Sequence, residues 1–87
     1  MTHQKRSWPE RQRLHWGKLI REQRKLVGLT QDALAEAVHV KQSAVSMWEQ
    51  GYSAPSPLHQ RRIADALSIT PDALFPHLPL DEEVEAS

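Results

Sequence analysis

Eighty-seven residues with no cysteine and a formal net charge of zero make one domain at most, with a modest core, little room for an enclosed substrate pocket, and no disulfide framework or thiolate site. No apolar run approaches the roughly 18 residues of a membrane span, and the polar, basic N-terminus lacks the apolar stretch of a signal peptide, so a soluble, cytoplasmic protein is expected. The zero net charge hides an asymmetry: residues 1–25 carry eight Lys/Arg against two acids, whereas residues 26–87 carry three against nine, four of them in the tail at Asp81, Glu82, Glu83 and Glu85.

From charge alone, this asymmetry fits a basic surface for an anionic partner as well as it fits an ordinary solvated helix followed by a disordered acidic end.

The chain is dense in helix start and stop signals. Ser7 with Glu10 three residues later has the form of a capping box, and Gly28 can stop the first helix after Val27. Trp16, Ile20 and Val27 fall at helical spacing on its inner face with Leu19 beside them, whereas the turns through Gln12 and Arg13 read as solvated or frayed. Thr30 can cap a second helix over 31–38, with Asp32 favourable near the positive end of the dipole and Leu34, Ala35 and Val38 facing inward. A short link through His39 and Val40 leads to a third helix over 42–50, with Val45 and Trp48 inward and Gly51 as its stop. Ser56-Pro57 is a start signal for a fourth helix to about Leu67, with an inner stripe of Leu58, Ile63, Ala64 and Leu67. Thr70-Pro71-Asp72 repeats that signal for a short fifth helix ending at Leu74-Phe75. The spacing predicts an all-α domain of five helices.

The outer face of the third helix carries Gln42, Ser43, Ser46 and Met47, neither charged enough for a solvated surface nor apolar enough for a core. The stretch 29–51, LTQDALAEAVHVKQSAVSMWEQG, resembles the helix-turn-helix of the Cro and phage-repressor (XRE-type) DNA-binding family, and the likeness extends over about residues 16–75. Gln31 opening the second helix, Ala35 at the helix approach, Val45 in the core, and Glu49 followed by Gly51 carry it.

The resemblance implies a compact lambda-repressor-like domain over 16–76. Outside the match, a basic extension over 1–15 is expected to form an arm or lengthen the first helix, and the tail over 77–87, too acidic and too poor in apolar residues to pack, is expected to be disordered. The resemblance also implies that the third helix enters the major groove. Gln42, Ser43, Ser46 and Met47 would then be base readers, and Gln31, Lys41, Tyr52, Ser53, Lys18 and Arg21 backbone contacts, with Gln31 also able to brace Gln42. Arg24 and Glu49 resemble a family ion pair bridging the first and third helices. The expected partner is duplex operator DNA, bound by a homodimer without a cofactor, and the expected role is that of a Cro-like repressor. Two departures stand out: His39 occupies a link position where the family often has glycine, and the third helix has no Arg for bidentate contact to guanine, which favours A·T-leaning or shape-assisted readout.

Five histidines and the Glu36-x-x-His39 spacing lack the further ligands a metal site needs, and no phosphate loop, nucleophile elbow or HExxH motif suggests an enzyme. Trp16 and Trp48 are expected in the core. Trp8 and the apolar set Phe75, Leu78 and Leu80 are candidates for a protein-partner or dimer surface. Two other readings stay open: an antitoxin-type autorepressor that holds a toxin through its tail or N-terminal arm, and an interaction module of the same fold without DNA binding, with Trp8 and the Phe75–Leu80 cluster as its contact surface.

Overall fold

The computed structural model describes residues 8–77, and these form five helices and no strand. They are α1 (Glu10–Leu26), α2 (Gln31–Val38), α3 (Gln42–Gln50), α4 (Pro57–Ala66) and α5 (Pro71–Leu74). Ser7, Leu78, Leu80 and the acidic cluster of the tail lie outside the described residues. The start of α1 is taken by Pro9, which makes no side-chain cap.

Three starts use the side-chain oxygens anticipated from sequence. Thr30 accepts from the Ala33 N–H at 3.0 Å, Ser56 from His59 at 3.3 Å, and Thr70 from Ala73 at 3.3 Å. Each satisfies a donor that the first helical turn leaves without an intrahelical partner.

The four longer helices all end in one arrangement. A residue in left-handed conformation follows the helix, and the next N–H reaches five residues back: Leu29 to Arg24, Val40 to Ala35, Tyr52 to Met47 and Ile69 to Ala64, each at 3.0 Å. These are Schellman turns. The left-handed residue is Gly28 after α1 and Gly51 after α3, but His39 (φ 68°) after α2 and Ser68 (φ 58°) after α4. The α2–α3 link therefore closes in the geometry that glycine adopts at no steric cost, at some strain to His39.

The core is assembled from Trp16 and Ile20 of α1, Leu34, Ala35 and Val38 of α2, Val45 and Trp48 of α3, Ile63, Ala64 and Leu67 from α4 and its end, and Leu74 and Phe75 at α5. Helix α1 packs on α3 and α5, α2 on α3 and α4, and α4 on α5. At Gly17 the approach of α1 to α3 is close enough that an added Cβ would lie 2.4 Å from the Trp48 carbonyl oxygen and 2.6 Å from that of Glu49.

Four expectations need correction. Gln12 is fully buried, because it lies one turn before Trp16 on the same stripe of α1. Arg13 is half-buried, donating from Nε to the Gly51 carbonyl at 2.8 Å and from Nη1 to the Trp8 carbonyl. Val27 is 40% exposed, lying beyond the last helical residue of α1. Leu58 is 54% exposed; at about 100° per residue it stands roughly 140–180° around α4 from Ile63 and Leu67.

The surface anticipated at Trp8 and Phe75 is largely used internally. Phe75 is only 4% exposed and meets the Trp16 ring edge-on, with centroids 5.5 Å apart. Trp8 is half-buried, with its ring centroid 4.9 Å from that of Trp16 and 5.1 Å from that of His77. The Trp16 indole N–H closes this cluster by donating to the Pro76 carbonyl at 2.7 Å. Helix α1 runs without a break through residues 15 and 16, so Trp8 and the first turns of α1 pack as part of the domain.

Candidate nucleic-acid interface

Helix α3 is held by its inner face and presents its outer one. Val45 and Trp48 are buried, whereas Gln42 and Ser43 are exposed, Met47 is 43% exposed and Ser46 is partly so. The residues predicted to read bases thus share one accessible face, over two turns, beginning at the helix N-terminus.

That N-terminus has no side-chain cap: the N-cap residue is Lys41, exposed and in extended conformation. An ammonium here opposes the helix dipole, which favours negative charge at this end. A phosphate drawn close would reverse the balance, being attracted both by the helix end and by Lys41.

A chain of hydrogen bonds runs from α1 to the first residue of α3. The Arg24 Nε donates to Glu49 Oε2 at 2.6 Å and Nη2 to Oε1 at 3.1 Å, a two-bond fork, while Nη1 donates to the Leu29 carbonyl at 2.8 Å. Gln31 Nε2 donates to the same Glu49 Oε1 at 3.0 Å, and Gln31 Oε1 accepts from Gln42 Nε2 at 2.6 Å. The Arg24 and Glu49 side chains retain 11% and 4% of their exposure, so the pair is shielded from water and from screening by salt. The hydrogen bond that Arg24 donates to Glu49, opposed by desolvation and reinforced by the Glu49 charge, raises the Arg24 pKa above its ordinary value. With the folded pKa raised, the charged form of Arg24 favours the folded state, and that contribution is lost as pH climbs through the raised value.

Cations flank this face. Lys18, Arg21 and Lys25 are exposed on α1 at spacings of three and four residues, forming one ridge. Arg21 and Lys25 line a surface depression together with Gln31, Ser46, Glu49 and Gln50, which places the ridge beside the C-terminal half of α3. Past α3, Tyr52 is exposed and Ser53 partly so, both on the rim of a shallow groove shared with Trp8 and Arg13.

Three contributors were not anticipated. Gln50, one turn beyond Ser46, donates from Nε2 to the Ser46 Oγ at 2.8 Å and to its carbonyl at 3.2 Å. That bond occupies one acceptor position of the Ser46 hydroxyl. Arg13 fixes the carbonyl of Gly51 just before Tyr52 and Ser53. Gly17 sets the depth at which α1 seats on α3; a glycine inside an otherwise good helix was the available signal for that role.

Residues 20–74 match the family model described as helix-turn-helix. The chain is 39% identical over 61 residues to the uncharacterized HTH-type transcriptional regulator YazB of Bacillus subtilis, covering 70% of this chain and 88% of that one. Among solved structures it is similar to the restriction-modification controller protein C.AhdI from Aeromonas hydrophila, with a TM-score of 0.69 and 33% identity over 72% of this chain and 96% of that one. It is also similar to the P22 c2 repressor, solved with a synthetic operator, with a TM-score of 0.68 and 33% identity over 70% of this chain and 92% of that one. On the matched residues, the five-helix fold and these relatives, the chain belongs to the helix-turn-helix family, XRE-type, of DNA-binding transcriptional regulators.

Proposed function

We propose that this protein is a sequence-specific regulator that binds duplex DNA as a homodimer on a two-fold operator, without a cofactor, and represses as Cro-like proteins do, by occupying the site. The observation that carries this reading is the outer face of α3: uncharged, polar and accessible at Gln42, Ser43, Ser46 and Met47, and anchored from behind by the Arg24–Glu49 fork. In a major groove, side chains of this kind exchange hydrogen bonds with base edges at low desolvation cost, whereas a solvated surface gains nothing from them. Gln42 suits adenine, and Met47 suits the thymine methyl. Lys41, Gln31, Tyr52 and Ser53 meet the sugar-phosphate backbone on either side, and Lys18 and Arg21 extend the contact along α1. The place of action is the cytoplasm, on the nucleoid. No helix among the described residues is long and apolar enough to cross a membrane.

Binding to a mixed-sequence duplex, followed by fluorescence anisotropy across salt concentration, tests the electrostatic half of this reading. The logarithm of affinity should fall linearly with the logarithm of salt, by a slope of about 0.9 per phosphate contacted, and Lys41→Ala should lower that slope by about one. Absence of binding at low salt, or affinity indifferent to salt, would remove DNA as the partner.

A further inference from the structure

We infer that Glu49, which faces away from the groove, sets the base preference of Gln42 by fixing which way two amides point; the inference rests on the DNA-binding reading above. A carboxylate only accepts hydrogen bonds, so Gln31 must turn its NH2 group toward Glu49, as the 3.0 Å contact from Nε2 to Oε1 requires. The Gln31 oxygen is thereby the atom directed at Gln42. Gln42 in turn must offer its own NH2 group, which it does at 2.6 Å. Reversing either amide would set oxygen against oxygen or nitrogen against nitrogen at these distances. Arg24 completes the arrangement: its fork on both carboxylate oxygens holds the carboxylate, and with it Oε1, in place.

The consequence lies in what Gln42 has left to offer. With one N–H held by Gln31, its amide presents one donor and one acceptor outward. Adenine matches that pair with N7 and the N6 amino group, whereas guanine shows two acceptors, N7 and O6, and is mismatched at one of them. An amide free to turn loses this distinction. Glu49 is thus a positioning residue for specificity, acting through Gln31, and the charge that holds α1 to α3 also selects the base.

The test uses the best-bound duplex selected by the parent protein, with each base pair replaced in turn. Parent protein should prefer adenine over guanine at one symmetric pair of positions by a factor between about 5 and about 150. Gln31→Met removes both amide contacts at similar length and leaves the Arg24–Glu49 fork in place; it should collapse that ratio below about threefold while ratios at all other positions hold. The double variant Arg24→Met, Glu49→Gln replaces the carboxylate by a group that donates or accepts, and, where its thermal unfolding shows a folded domain, it should relax the same position. If the double variant does not fold, Glu49→Gln with Arg24 retained takes its place, and an adenine preference intact in Gln31→Met still overturns the inference. Equal loss on every duplex, with the adenine preference intact in Gln31→Met, would overturn the inference and leave Gln31 as a backbone contact. A parent protein with no base preference at any position would remove the DNA-reading proposal and this one with it.

Discussion

Gly17→Ala separates two opposed effects that the structure allows to be weighed. In an isolated helix, alanine is favoured over glycine by about 0.8–1 kcal/mol, so propensity alone predicts a more stable protein. In this fold the added Cβ meets the Trp48 oxygen at 2.4 Å and the Glu49 oxygen at 2.6 Å, about 1 Å inside the roughly 3.5 Å of nonbonded contact. Both atoms are backbone, so neither can rotate away, and the Trp48 carbonyl already accepts the Gly51 N–H at 3.1 Å in the turn that ends α3. Relief must come from moving α1 off α3, which opens the core at Trp16 and stretches the Arg24–Glu49 fork. Overpacking of this kind costs about 1–3 kcal/mol and sometimes more, and immobile backbone on the far side places this case at the upper end. Net of propensity, the variant should lose about 2 kcal/mol, which for a domain this size lowers Tm by about 8–16 °C. Thermal unfolding followed by circular dichroism reads this directly. A rise in Tm would show that α1 and α3 are not seated as closely as described and would refute the reasoning.

Arg24→Ala leaves the shielded Glu49 carboxylate without its cation and should cost about 3–5 kcal/mol in denaturant unfolding, with DNA affinity falling as well. Unchanged unfolding with lost binding would instead make Arg24 a phosphate contact. His39→Gly relieves a left-handed side-chain residue at φ 68°, and after the greater freedom of glycine in the unfolded chain is offset it should stabilise by about 0.5–1 kcal/mol, raising Tm by several degrees. Gln42→Ala should leave Tm unchanged, because its side chain is exposed, but should weaken discrimination at one base position by about 1–3 kcal/mol in competition binding. Equal loss on all sequences would exclude Gln42 as a reader.

What sequence made legible follows from local chemistry. Thr30, Ser56 and Thr70 mark helix starts because a hydroxyl followed by an acid, a proline or an amphipathic run has little else to do there. Gly28 and Gly51 mark stops because the turn after a helix needs a positive φ. The end of the fourth helix near Leu67 was legible, but the left-handed turn at Ser68 was hidden, since serine carries no such signature. Gln12 was misplaced because its polarity outweighed its position one turn from Trp16, and Leu58 because its apolarity outweighed an angle that points it outward. The outer face of α3 was readable as a misfit between surface and core. The path from Arg24 through Glu49 and Gln31 to Gln42 was only partly so, because it joins residues 11–25 positions apart whose spacing encodes no contact by itself.

Whether the outer face of α3 reads duplex DNA is decided by selecting bound sequences from a random duplex library at moderate salt. A two-fold symmetric enriched motif is predicted, with an adenine among its determined positions and a half-site spacing near one helical turn. Recovery of the library without enrichment, at protein concentrations where the domain is folded, would contradict that reading.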